Sequence, residues 1–204
     1  MRQTEAAENP AVLAETGCVI MASGLGQRFG SNKLMADFGG APMLARVLAA
    51  TDFLQRRVVV TRHPDVADWC RRQGIAVVLH ELPFRSDTVR LGLQALPGVE
   101  RCLFCPGDQP LLTRTTVAAL VRLSGEHPGD IVRPAVGGEP GAPVLFPARF
   151  FPELAALPQG KGGGYVAKRH PESVRLLPIE NAGELADADT PETLAALLAQ
   201  AGEG

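Results

Sequence analysis

Aromatic residues are scarce in this chain of 204 residues, at 5%, with one Trp and one Tyr. That leaves few platforms on which the bases of a single strand could stack. Excess charge of one sign is also lacking, and a formal net charge of −2 gives no global attraction for DNA, RNA or an anionic membrane. Any ligand rich in phosphate must therefore meet a local positive field. No run approaches the ~20 apolar residues needed to span a bilayer. Residues 1–17 hold Glu5, Glu8, Pro10 and Glu15 and no apolar stretch, so they do not read as a signal peptide. A cytoplasmic protein is expected, with a polar N-terminal tail over 1–17 and a single domain over 18–204.

The four cysteines do not suggest a disulfide framework or a metal centre. Cys102 and Cys105 form a C-x-x-C pair, but inside an apolar run, where positions three apart on a strand face opposite sides of a sheet. No second Cys or His pair has ligand spacing, so all four are expected in the core.

The stretch Cys18 to Lys33 is the first with chemical content. A β-branched apolar run leads into a loop with Gly24, Gly26 and Gly30, which reads as a buried strand delivering a phosphate-binding loop. Glycine lets backbone N–H groups approach phosphate oxygens without a Cβ in the way. Arg28 can grip two such oxygens, and Lys33 supplies a mobile point charge. A Walker A loop is excluded because Ser31 and Asn32, not Lys and Ser or Thr, follow Gly30. The dinucleotide fingerprint fails because Phe29 stands where its third glycine belongs.

A second informative stretch runs from Arg101 to Leu112. Its apolar strand ends at Pro106-Gly107 and exposes Asp108, at the end of a strand where open α/β sheets bind ligands. Near the C-terminus, Asp187-Ala188-Asp189-Thr190-Pro191-Glu192 places Pro191 at a helix start with Thr190 as its cap. Strands are expected near 18, 57–61, 75–80, 101, 131 and 174. Helices are expected after Pro42, over 66–72, after an N-cap at Ser86, after Thr113 and after Pro191, and 159–165 reads as a flexible loop. Alternation of this kind implies a three-layer α/β sandwich with a mainly parallel sheet.

The segment Ala22-Ser23-Gly24-x-Gly26-x-Arg28-Phe29-Gly30-x-x-Lys33 resembles the signature loop of the nucleotidyltransferases typified by the molybdopterin enzymes, the MobA-like or MocA-type family. Four further segments are similar to that family. They are Lys33-Leu34 through Gly39-Gly40 to Pro42, Ser86 through Thr88 to Gly92-Leu93, Gly107-Asp108-Gln109-Pro110, and Gly141-x-Pro143-Val144-Leu145-Phe146. Asp187-x-Asp189-Thr190-Pro191 is another hallmark. Where relatives carry His or Asn, this chain has Ala142. Where they read Gly-Asp-x-Gly, it has Lys161 and no acid.

The resemblance implies a Rossmann-like nucleotidyltransferase fold and a molybdenum cofactor cytidylyltransferase activity. CMP would pass from CTP to the phosphate of molybdenum-bound molybdopterin, releasing pyrophosphate. Arg28, Lys33 and Asp108 are then the catalytic residues, and Asp108 and Asp189 hold Mg²⁺. Ala22, Ser23, Gly24, Leu25, Gly26, Ser86, Thr88, Gly107, Gln109 and Pro143 are the expected substrate contacts. Lys161 is either a contact for the acceptor phosphate or part of a mobile segment. The alternatives are a GTP-dependent molybdopterin guanylyltransferase, a sugar-phosphate nucleotidyltransferase, and a non-catalytic protein that hands cofactor to a molybdenum hydroxylase, itself a possible recipient of the product. Ser23, rather than a second glycine, favours the cytidylyl reading because its side chain narrows the base pocket.

Overall fold

In a computed structural model of the chain, residues 9–24, 29 and 32–202 are described. The expected phosphate contacts Leu25, Gly26 and Arg28 lie outside them.

Alternating buried positions build the sheet. In β1 (Thr16–Ala22), Cys18, Ile20 and Ala22 point to one face and Val19 to the other. Beside it run β2 (Arg56–Thr61), β3 (Val77–Leu79) and β4 (Arg101–Pro106), all parallel, in the order β3-β2-β1-β4. The sheet continues through β7 (Val144–Pro147), antiparallel to β4, then β5 (Ile131–Val136). At the far side β5 carries β6 (Glu139–Pro140) and β8 (Val174–Pro178). The result is a parallel-dominated mixed sheet of eight strands.

Helices cover both faces, because each face is apolar. On one side lie α2 (Leu44–Ala50), α3 (Pro64–Arg72), α5 (Arg114–Glu126) and α8 (Pro191–Gly202), through Val47, Val66, Leu120 and Leu197. The other is covered by α4 (Arg85–Gln94), α6 (Phe151–Ala155) and α7 (Gly163–Arg169), through Val89, Leu154 and Val166. This is the expected three-layer α/β arrangement. Cys105 faces the first core and Cys102 the second, as strand periodicity requires, and all four thiols are buried and free. Burial raises the thiol of Cys18 to about 12.

Several local expectations shift. The tail is structured from Pro10, where α1 (Pro10–Ala14) packs Val12 against Gly125 of α5, and β1 begins at Thr16 rather than 18. Helix α2 starts at Leu44, because Pro42 is spent on a bridge to Asp37 around a turn in which Gly39 and Gly40 take φ of 72° and 89°. Strand β3 is shorter than 75–80. Ser86 is not the N-cap of α4: Phe84 is, and Asp87 accepts the Phe84 amide N–H at 3.1 Å. Thr113 does cap α5, accepting from Thr116 N. Part of the expected flexible loop, from Gly163 on, is helix α7. Among the described residues no helix is long and apolar enough to cross a membrane.

Candidate active site at the ends of β1 and β4

The strand order reverses direction at β1, whose neighbours are β2 and β4, and such a switch point opens a crevice beyond the strand ends. A cleft of about 1050 Å³ lies there. Its size is at the upper end for small-molecule sites, enough for a nucleotide and an acceptor together.

Lys33 stands at the centre, in a 3₁₀ turn whose Asn32 cap anchors it to Asp65 at the start of α3. Its side chain is buried, and Nζ lies 2.7 Å from Asp108 Oδ2 and 2.7 Å from Asp189 Oδ1. Burial opposes the ammonium charge, but the hydrogen bonds and charges of Asp108 and Asp189 together outweigh it and hold its pKa above the ordinary lysine value. Residues 33, 108 and 189, far apart in the chain, thus converge on one point.

Two elements bring the acids in. Asp108 follows β4, where Gly107 approaches the backbone of β1 and donates its N–H to Met21 O at 3.0 Å. A Cβ at Gly107 would sit 3.2 Å from that same oxygen. Asp189 arrives on a segment tied down at three places. Ala188 N donates to Asp108 O at 2.9 Å, Gln109 Nε2 donates to Leu185 O and Asp187 Oδ1, and buried Glu184 accepts from Thr113 N and Oγ1 at 3.0 and 2.8 Å. Desolvation and the charge of Asp108 push the Asp187 carboxyl above the usual range.

Asp108 and Asp189 offer hard carboxylate oxygens that already converge on one cationic atom and keep side-chain exposures of 23% and 52%. Mg²⁺ takes such a donor set, one or two carboxylates completed by water and substrate phosphate. The residues present therefore fit the ion.

Of the expected contacts, Ser23, Gly24, Thr88 and Gln109 line the cleft with Lys33, Asp108 and Asp189. Thr88 Oγ1 and Gln109 Oε1 are buried there with no hydrogen-bond partner among the described residues. Orphans of this kind are uncommon and await a partner from the cleft. Ala22, Ser86, Gly107 and Pro143 are buried behind the wall and do not line it. Ala22 instead accepts Thr61 Oγ1 at 2.8 Å, and Gly107 serves the strand contact just described.

Three residues were not anticipated. Arg62 lines the cleft, as does Arg133, whose guanidinium donates to Gly141 O at 2.7 and 2.9 Å and whose burial lowers its pKa. His80 stands behind Ser23, with Nε2 at 2.9 Å from its Oγ. A lone cation inside the apolar strand Ile131-Val132-Arg133 was the available signal for the second; none marked the other two. Among the described lining residues, Lys33, Arg62, Arg85, Arg133, Lys161 and Lys168 face three acids, Asp108, Asp187 and Asp189. The local positive field that a near-neutral chain must provide is thus in place.

Residues 18–174 match the MobA-like NTP transferase domain. The bifunctional enzyme IspD/IspF of Desulforudis audaxviator is 30% identical over 178 residues, covering 78% of this chain and 45% of that one. The chain spans less than half the length of such curated relatives. Among solved structures, Rv0371c of Mycobacterium tuberculosis H37Rv superposes with a TM-score of 0.80 at 23% identity, over 90% of this chain and 97% of that one. A CMP:2-keto-3-deoxy-manno-octonic acid synthetase complexed with CTP superposes with a TM-score of 0.76 at 14% identity, over 92% and 98%. At those identities the likeness is one of fold.

Proposed function

The chain belongs to the family of MobA-like NTP transferase domains, and on that premise we propose that it transfers CMP from CTP to the phosphate of molybdenum-bound molybdopterin, forming the cytosine dinucleotide and pyrophosphate. The observation that carries the reading is the meeting of Lys33 Nζ with Asp108 and Asp189, at 2.7 Å each, in a cleft large enough for two substrates.

The acceptor is a phosphate monoester, already ionised near neutral pH, so its oxygen attacks the α-phosphorus of CTP without a dedicated base. One P–O bond forms as the bond to the β-phosphate oxygen breaks, and pyrophosphate leaves. Such a step asks the protein for alignment and charge neutralisation. Lys33 neutralises charge growing on the α-phosphoryl oxygens, from a position its two acid partners fix beforehand. Gly24, at the mouth of the glycine loop, and Arg28 take the outer phosphates. Asp108 and Asp189 hold Mg²⁺, which would add positive charge at the triphosphate. The orphan Thr88 hydroxyl is available to the nucleotide. Lys161 and Lys168, which line the same cleft as Gly141, Ala142, Val144 and Phe146, receive the acceptor's phosphate.

Incubating the protein with Mg²⁺, molybdopterin and each of CTP, GTP, ATP and UTP tests this. Pyrophosphate release that requires both CTP and molybdopterin is expected. Faster release with GTP would reassign the enzyme as a guanylyltransferase. A second reading, CMP transfer from CTP to a sugar-type acceptor, draws on the fold shared with the CMP:2-keto-3-deoxy-manno-octonic acid synthetase complexed with CTP. Turnover with such acceptors and none with molybdopterin would establish it.

A further inference from the structure

On the side of β1 away from Asp108, the wall of the cleft holds a relay whose polarity follows from its acceptors. Leu82 N donates to His80 Nδ1 at 3.1 Å, so that nitrogen carries no proton and the neutral ring has its hydrogen on Nε2. Nε2 lies 2.9 Å from Ser23 Oγ and donates to it. The Ser23 hydroxyl lies 3.1 Å from Val60 O, which can only accept, so its single hydrogen goes there. The ring is placed by the sheet itself, because His80 N donates to Thr61 O at 3.0 Å. Desolvation and the Arg62 guanidinium lower the His80 pKa and keep the ring neutral, with Asp87 and Arg90 of α4 as the other charges facing it. With its hydrogen spent on Val60 and one lone pair on His80, the Ser23 oxygen has a single lone pair for anything in the cleft it lines.

Resting on the cytidylyl reading, we infer that His80 is a specificity-determining residue that acts through Ser23. It holds the serine hydroxyl as a pure hydrogen-bond acceptor, which selects a pyrimidine bearing an exocyclic amine over one bearing a carbonyl there. Cytosine donates its amino hydrogens to that oxygen. Uracil sets oxygen against oxygen. Without the imidazole N–H, the Ser23 side chain is no longer held in the orientation that gives its hydrogen to Val60 O, so it can turn and donate to the uracil carbonyl, and the discrimination falls while the fold of the cleft stays.

The test is equilibrium binding of CTP and UTP, by calorimetry, to the unmodified protein and to His80→Leu, His80→Gln, Ser23→Ala and the double variant His80→Leu/Ser23→Ala. His80→Leu should reduce the CTP-over-UTP preference by about tenfold, the scale of one hydrogen bond gained or lost. His80→Gln, whose amide can still donate to Ser23, should retain it within about threefold on the same scale. Ser23→Ala should lose the preference, and the double variant should lose no more. A purely structural role would weaken both nucleotides alike and leave the ratio intact, which would overturn the inference while leaving the cytidylyl reading standing. A preference of the unmodified protein for GTP or for UTP over CTP would overturn both. If His80→Leu does not fold, the ratios from His80→Gln and Ser23→Ala decide by themselves: an unchanged preference in Ser23→Ala overturns the inference, and its loss there with retention in His80→Gln upholds it.

Discussion

At the β1–β4 end of the cleft the charged groups are already paired with one another, whereas on the wall formed by the 160–168 segment the cations stand in solvent. Lys33 is buried between two carboxylates, each 2.7 Å away. Lys161 and Lys168 are exposed, and among the described residues neither joins an ion pair. A charge held in place before substrate arrives needs no reorganisation in the transition state, and its field is little screened. A solvated cation attracts an anion but yields its energy to salt and to side-chain freedom. On the proposed function, the first region would change the rate of transfer and the second would gather the acceptor.

Removing Lys33 breaks that comparison most severely. Lys33→Ala should lower kcat by about 10²- to 10³-fold, the scale of a lost preorganised donor, with the acceptor KM nearly unchanged. It also leaves Asp108 and Asp189 facing each other without their shared cation, so the nucleotide should bind more weakly. Steady-state kinetics that vary CTP and acceptor separately check this. A raised acceptor KM with full turnover would exchange the roles of the two regions.

How much of that contrast was legible beforehand differs between its halves. Lys33, Asp108 and Asp189 could be picked from the sequence because each ends a constrained pattern: a glycine loop, a strand stopped by Pro106-Gly107, and a capped helix start. What a motif does not tell is which atom faces the ligand. Ala22, Ser86, Gly107 and Pro143 belong to the same patterns, yet their positions serve strand contact and packing behind the wall. Strand β7 is not among the expected strands, because four apolar residues carry no periodicity of their own and acquire strand geometry from pairing with β4. Helix α7 was hidden by its glycines. Gly163 is there because a Cβ would lie 2.7 Å from Phe146, a tertiary constraint that overrides propensity.

The paired end can also be loosened without touching a charge that meets substrate. Glu184 holds the Asp187–Asp189 segment to the start of α5 through two hydrogen bonds to Thr113. Glu184→Ala leaves the Thr113 N–H without that acceptor and should destabilise the protein by about 1–3 kcal/mol, the range for a stranded buried group. Thermal unfolding would measure that loss. The variant should also lower kcat several-fold as Asp189 loses its fixed position, and Glu184→Gln, which keeps an accepting oxygen, should recover most of both. Reduced stability with kcat untouched would mean that Asp189 keeps its place without Glu184.

The smallest effect belongs to the open wall. Exposed charges contribute on the order of 1 kcal/mol or less each, so replacing Lys161 and Lys168 together with Ala should raise the acceptor KM by roughly five- to tenfold. Turnover at saturating acceptor should not change, since neither ammonium is bound into the cluster around Lys33. Because a solvated pair is screened over a Debye length of about 8 Å at physiological ionic strength, the penalty should shrink as salt is added. The penalty of Lys33→Ala should shrink much less, because the Lys33 side chain is itself buried and meets its two partners directly at 2.7 Å. Acceptor kinetics of both variants across a salt series therefore separate the two regions by a property that substrate affinity alone would not reveal. Equal salt dependence in the two would show that the direct contacts of Lys33 are screened as fully as the solvated cations of the open wall.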